Sequence, residues 1–376
     1  MTKGPLAARH LERTPLHGEH LRLNAKMVPF AGYEMPVHYP GGITAEHRAV
    51  REAAGLFDVS HMGELEVRGN DALALVQRVT VNDASRLEPF QAQYSAMCNA
   101  DGGVLDDLVV YRFEDHYMLV VNASNREKDL AWVVDQAAGL DAQVIDRSDQ
   151  TGLLALQGPA ARETLRALAD LEVDDVVYYR FGLGRVAGVL TTVSGTGYTG
   201  EDGFELYVPA EHTVTLWKAL LEAGKGAGLV PVGLGARDSL RLEMGYALHG
   251  NDLDEEHTPL EAGLGWLTKL DKGDFVGRSA LAAQKEKGVT RKLVGLVLSG
   301  RAFPRPGYPI RAQGREVGRL TSGTLSPTLG EGIALGYLSA ELARPGARVE
   351  VDVRGTEIPA QVVRTPFYTQ GSLRRS

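Results

Sequence analysis

Leu65 and Val67 alternate with Glu64, Glu66 and Arg68, the period of a half-buried strand. The same period returns where Phe204, Leu206 and Val208 alternate with Glu205 and Tyr207. Short apolar runs predict further strands over 143–146, 151–157 and 186–193. Helical spacing lies between them. Ala45, Val50 and Ala53 or Ala54 give the stretch 43–56 an apolar side, with Gly55 placed to end it. Further helices are expected over 70–79, 126–138, 160–168 (opened by Gly158-Pro159) and 212–228, and another begins near Arg237. Irregular alternation with hairpins predicts an α+β fold rather than a regular parallel α/β sheet. After a Lys/Glu-rich stretch at 284–290, everything reads as short strands divided by Gly and Pro turns, a small β-barrel or sandwich. The expected division is therefore residues 1–283 and 284–376.

The stretch 101–125, DGGVLDDLVVYRFEDHYMLVVNASN, is the focus of that pattern. Gly102 and Gly103 supply a turn, and Asp106 and Asp107 interrupt an apolar strand. Neighbouring strand residues face opposite ways, so one carboxylate can meet solvent while the other points to a covered site. On spacing alone, solvated turn aspartates are the favoured reading. Asn122 and Asn125 leave the return strand, where polar residues line clefts.

Other features narrow the chemistry. The net charge of -8 argues against broad nucleic-acid binding, and no apolar run approaches the ~20 residues needed to span a bilayer. One cysteine, Cys98, excludes an internal disulfide and reads as a buried small hydrophobe. The first residues lack the apolar core of a signal peptide, which points to the cytoplasm. His10, His17 and His20 read as surface or packing residues, because nothing completes a metal set. Gly195-Thr-Gly197-Tyr-Thr-Gly200 matches G-x-G-x-x-G, but a strand follows where a dinucleotide site needs a helix. No calcium loop fits NDLDEE at 251–256. By spacing, Glu205 is an exposed strand position, and Arg237 pairs with Asp238 or Glu243 on its own helix.

Taken together, FDVSHMGELEVRG, GGVLDDLVVYRFEDHYMLVVNASN, LLALQGP, GYTGEDGFEL, GLGARDSLRLEMGYALHGNDLDEEHTPLEAGLGW and LTSGTLSPTLGEGIALGYL resemble the aminomethyltransferase, or T-protein, family of the glycine cleavage system. The resemblance runs from about Thr14 to about Tyr368. It implies a three-domain cloverleaf around a central folate site, ending in a β-barrel. It implies transfer of a one-carbon unit from an aminomethyl group on the lipoyl arm of the H-protein to tetrahydrofolate, giving 5,10-methylenetetrahydrofolate and ammonia. Tetrahydrofolate would be a co-substrate, with no metal and no nucleotide, and glycine decarboxylase (P-protein) and dihydrolipoyl dehydrogenase (L-protein) would be functional associates.

Carried over by position, Asp107 is the catalytic carboxylate and Asp106 its structural neighbour. Glu205 accepts the pterin N–H edge, Met62, Tyr94 and Tyr198 line the ring, and Arg237 holds acidic groups or the folate carboxylate. Asn122 and Tyr368 complete the substrate set, and Arg291 and Lys292 are candidates to meet the carrier. Folate-dependent demethylating modules of sarcosine or dimethylglycine oxidases carry an added flavin domain, for which this chain has neither length nor fingerprint. Non-catalytic folate binders of the same superfamily would lack the Asp107, Glu205 and Arg237 set, which is present here.

Overall fold

The computed structural model describes residues 11–375. Two large sheets and a barrel, each with its own apolar core, surround a cavity, and a two-stranded hairpin, Lys26–Phe30 with Tyr33–His38, adds Phe30 to its lining. The first sheet runs, edge to edge, Gln91–Cys98, Val104–Arg112, Tyr117–Val121, Gly63–Arg68 and Gln143–Asp146, all antiparallel. Helices Ala72–Val79 and Arg126–Gln136 supply Leu75, Val76 and Val133 to the core shared with Leu65, Val67, Val110 and Leu119 of this sheet. In its hairpin Ala96 lies opposite Asp107 and Met97 opposite Asp106. The turn before Val104 requires glycine, since a Cβ on Gly103 would sit 1.8 Å from the Glu255 carbonyl oxygen.

The second sheet orders Phe181–Val186, Val189–Ser194, Gly203–Pro209, Thr151–Gln157, Ala54–Asp58 and Leu229–Val232, with only the last pair parallel. Trp217 and Leu220 of the helix Thr213–Gly224 are buried with Phe204, Leu206 and Leu156. Two expectations are corrected in this layer. The helix expected over 43–56 ends at Glu52, and Ala54–Asp58 is a fully buried strand. Gly55 belongs to that strand because a Cβ there would lie 2.5 Å from both Val50 and Val232, so the residue serves packing and not helix termination. The strand expected over 186–193 begins only at Val189, because the chain folds back at Ala187 and Gly188, both at positive φ, and Val186 ends the preceding strand. The glycine-rich stretch 195–200 joins antiparallel strands, as the absence of a following helix predicts.

The closed barrel is built from Arg291–Leu298, Pro309–Ala312, Arg315–Leu325, Gly332–Ser339, Arg348–Val353 and Thr356–Val363. The last α-helix among the described residues, Arg278–Lys287, crosses the division expected at residue 284. A polar clamp ties the parts together. Arg51 donates through Nη1 to Glu201 and the Thr199 carbonyl, both at 2.7 Å, and through Nη2 to Glu243 at 2.8 Å. Glu243 also accepts from Ser326 and Thr328 of the barrel, and Glu201 accepts from Ser372 near the chain end. These charges are buried, paired and hydrogen-bonded, the condition under which buried charge is tolerated. Asp252 of the NDLDEE run is likewise engaged, by Arg241 and Ser322 at 2.8 Å each.

Candidate functional site

A cavity of about 860 Å³ lies between the two sheets and the barrel. Met62, Tyr94, Asp107 and Asn122 line it from the first sheet and its loops, and Tyr198 and Glu205 from the second. Arg237 enters from the helix Leu234–Glu243, and Leu293 and Leu335 close the barrel side. The fold thus brings together candidates spread over almost 180 residues of sequence. Tyr368 is not among the residues that line the cavity. Its ring centre lies 4.2 Å from the Arg51 guanidinium carbon and its N–H donates to the Glu243 carbonyl, which ties it to the clamp.

The two aspartates have opposite surroundings, as strand alternation requires. Asp106 is closed off from solvent, whereas Asp107 keeps partial exposure through the cavity. Asp106 is fully buried on the helix-covered face, where it accepts from Asn122 N–H at 2.9 Å, Asn122 Nδ2 at 2.8 Å and Asn125 Nδ2 at 2.6 Å. Asp107 faces the cavity and accepts from Tyr94 Oη at 2.8 Å and Asn122 Nδ2 at 3.0 Å. Tyr94 reaches it because it lies two residues from Ala96, on the same strand face. Burial, with the Asp106 charge next in weight, pushes the Asp107 carboxyl up to about 7, against the opposing bonds from Tyr94 and Asn122. An acid poised there exchanges a proton near neutrality.

Glu205 lies across the cavity on the strand Gly203–Pro209. Its Oε2 accepts from Thr196 Oγ1 at 2.5 Å, and Thr196 is in turn 3.1 Å from the Tyr111 hydroxyl, to which Tyr207 donates at 3.0 Å. Burial raises its pKa, opposed by the Thr196 bond and by Arg237. Arg237 does not form the ion pairs expected on its own helix. Asp238 is taken by Arg241 at 2.7 Å and Glu243 by Arg51, which leaves the Arg237 guanidinium 4.8 Å above the Tyr198 ring and turned to the cavity. Its pKa is lowered by burial, with the Glu205 charge opposing. Tyr198 stacks on Tyr246, ring centres 5.7 Å apart, and its hydroxyl donates to the Ala247 carbonyl. Among the described residues no group of three or more His, Cys, Asp or Glu side chains is placed to hold a metal ion. His17 and His20 instead bond Glu34 and Asp58, at 2.8 and 2.9 Å; His10 lies outside the described residues.

The family profile of the GCVT N-terminal domain matches residues 16–272, and that of the glycine cleavage T-protein C-terminal barrel domain matches 291–369. The chain belongs to the glycine cleavage T-protein family. An aminomethyltransferase of Desulfitobacterium hafniense is 50% identical over 359 residues, covering 95% of this chain and 98% of the relative. One of Moorella thermoacetica is 53% identical with the same coverages. The crystal structure of the glycine cleavage system aminomethyltransferase T from Bartonella henselae superposes with a TM-score of 0.91 at 36% identity, covering 96% of this chain and 99% of that one. The α+β architecture with a terminal six-stranded barrel is that of the family. No helix among the described residues is long and apolar enough to cross a membrane.

Some residues of this cavity were not singled out from sequence. His61 lines the cavity beside Met62, and burial lowers its pKa to about 4, so it is neutral at physiological pH. Phe30 and Trp266, 40% and 64% exposed, form an aromatic rim. Thr196, which holds Glu205, lies inside the glycine-rich stretch that was read only for its turn chemistry. Arg291 is less available than expected, because its Nε donates to Glu261 at 3.1 Å, whereas Lys292 is exposed.

Proposed function

We propose that this chain is the aminomethyltransferase of a glycine cleavage system. It takes the one-carbon unit of an aminomethyl group from the lipoyl arm of the H-protein and passes it to tetrahydrofolate. The products are 5,10-methylenetetrahydrofolate, ammonia and the dihydrolipoyl carrier. In this step the N5 and N10 hydrogens of the folate leave as carbon bonds form at both nitrogens, and the carbon–sulfur and carbon–amine bonds break. Those two protons go to the lipoyl sulfur and to the departing amine. The reading places the folate-handling part in residues 1–283 and the barrel in 284–376, with P-protein and L-protein as functional associates.

The observation that carries it is the facing pair of functions in one cavity. Asp107, with its carboxyl near 7, is suited to hold a proton of the attacking nitrogen and to stabilise the charge that develops there. Glu205 keeps one oxygen on Thr196 and offers the other to the N–H edge of the pterin, which a carboxylate accepts in parallel. Met62, Tyr94 and Tyr198 supply apolar and aromatic surface to a flat ring. Arg237, left without an acidic partner on its own helix, suits a ligand acceptor group or a folate carboxylate. The cavity volume falls within the ~300–1,000 Å³ usual for small-molecule sites. The test is formation of methylenetetrahydrofolate and ammonia from aminomethyl-loaded H-protein and tetrahydrofolate. Equal product without the enzyme, or tight folate binding with no product, contradicts the reading.

A further inference from the structure

Asp106 has three of its roughly four acceptor positions filled by amide N–H groups of Asn122 and Asn125. This donor set is suited to a carboxylate anion. Asp129, in the first turn of the helix Arg126–Gln136, lies beside this carboxylate. Asp129 is 1% exposed, lies within hydrogen-bond reach of Asp106, and has one oxygen, Oδ2, buried where no donor points at it. Two carboxyl groups in that relation, out of water, require a proton between them. Asp129 does not line the cavity, so it acts only through its neighbour.

Resting on the assignment of Asp107 as the transfer carboxylate, we infer that Asp129 is a positioning residue. As a neutral acid it donates its O–H to Asp106, completes the shell of that anion, and so fixes the charge beside which Asp107 works. Burial, then the Asp106 charge and its hydrogen bond, hold the Asp129 proton up to about 10, with Lys128 the opposing neighbour. His249 Nδ1 stands 3.9 Å from Asp106 and bonds Asn125, while Tyr94 and Tyr198 face Asp107 from the cavity side. Losing one donor leaves the Asp106 charge less compensated beside Asp107 and moves the deprotonation of Asp107 upward.

Two readouts on the full-length protein test this. The infrared difference between wild type and Asp129→Asn at pH 7 should show the carbonyl band of one neutral carboxylic acid, lost in the variant. In single-turnover transfer against pH, Asp129→Asn retains a neutral N–H donor and should keep the wild-type profile within about threefold. Asp129→Leu removes the donor, and should move the acid limb up by about one pH unit and cut the rate at pH 7 about fivefold. The folate KM should stay unchanged. Absence of the band, an unmoved limb in Asp129→Leu, or equal displacement in both variants overturns the assignment. Retained transfer in Asp107→Asn would instead overturn the role of Asp107, and would leave the infrared band in place.

Discussion

The protein holds its cavity carboxylate at the expense of stability, and Asp107→Asn measures by how much. In the unfolded chain an aspartate titrates near 3.9, and in the native protein Asp107 titrates near 7. The native state therefore binds this proton more tightly, and stability falls as pH rises through the interval between the two values. Below about 4 both states are protonated and the group contributes nothing; above about 7 both are ionised and the loss is complete. An interval of about three pH units at ~1.36 kcal/mol each gives ~4 kcal/mol as an upper bound. Strong coupling to Asp106, and the bonds from Tyr94 and Asn122 that an amide accepts less well, bring the expected value to about 2 kcal/mol. Asparagine cannot ionise and keeps one acceptor oxygen. Urea unfolding of wild type and Asp107→Asn from pH 4 to 8.5 should show near-equal stability at pH 4 and a variant more stable by about 2 kcal/mol at pH 8. Glu64 and Glu205, whose pKa values burial also raises, are common to both proteins and cancel. A difference that is independent of pH, or that favours wild type as pH rises, refutes the reasoning.

Three further outcomes are expected. Glu205→Gln removes the charge from the pterin contact and should weaken tetrahydrofolate binding about 10- to 100-fold by calorimetry, with the fold intact; unchanged affinity would remove Glu205 from the site. Wild-type folate affinity should strengthen as pH rises through the raised pKa of Glu205, while Glu205→Gln should stay flat over the same range, which the same calorimetry repeated against pH checks. Arg51→Met strands Glu201 and Glu243 in the clamp and should cost about 3 to 5 kcal/mol in denaturant unfolding; a loss below about 1 kcal/mol would mean the clamp does not hold the barrel.

The strand and helix periods made most elements legible, including Gln143–Asp146 and Thr151–Gln157 to the residue. Failures came where tertiary packing outweighed local pattern. Gly55 has the look of a helix terminator, yet it is there to let Val50 and Val232 close in, which no single-sequence pattern encodes. Glu64 alternates as an exposed strand residue but is 1% exposed, because the second face of that strand is covered as well. At the site, the opposite facing of Asp106 and Asp107 followed from strand period alone. The liberation of Arg237 did not, because it depends on Arg51 and Arg241 arriving to take its expected partners.

The most direct measurement of the transfer chemistry is single-turnover formation of methylenetetrahydrofolate from aminomethyl-loaded H-protein, both substrates saturating, with Asp107→Asn and Asp106→Asn run beside wild type. Asp107→Asn should bind folate normally and transfer ~100 to ~10,000 times more slowly, the usual worth of a positioned proton-transfer group. Asp106→Asn should lose chiefly stability, with a displaced pH profile, because Asn122 bridges the two carboxylates. Transfer by Asp107→Asn within about threefold of wild type would contradict a catalytic role for this carboxylate and leave substrate positioning as the source of rate.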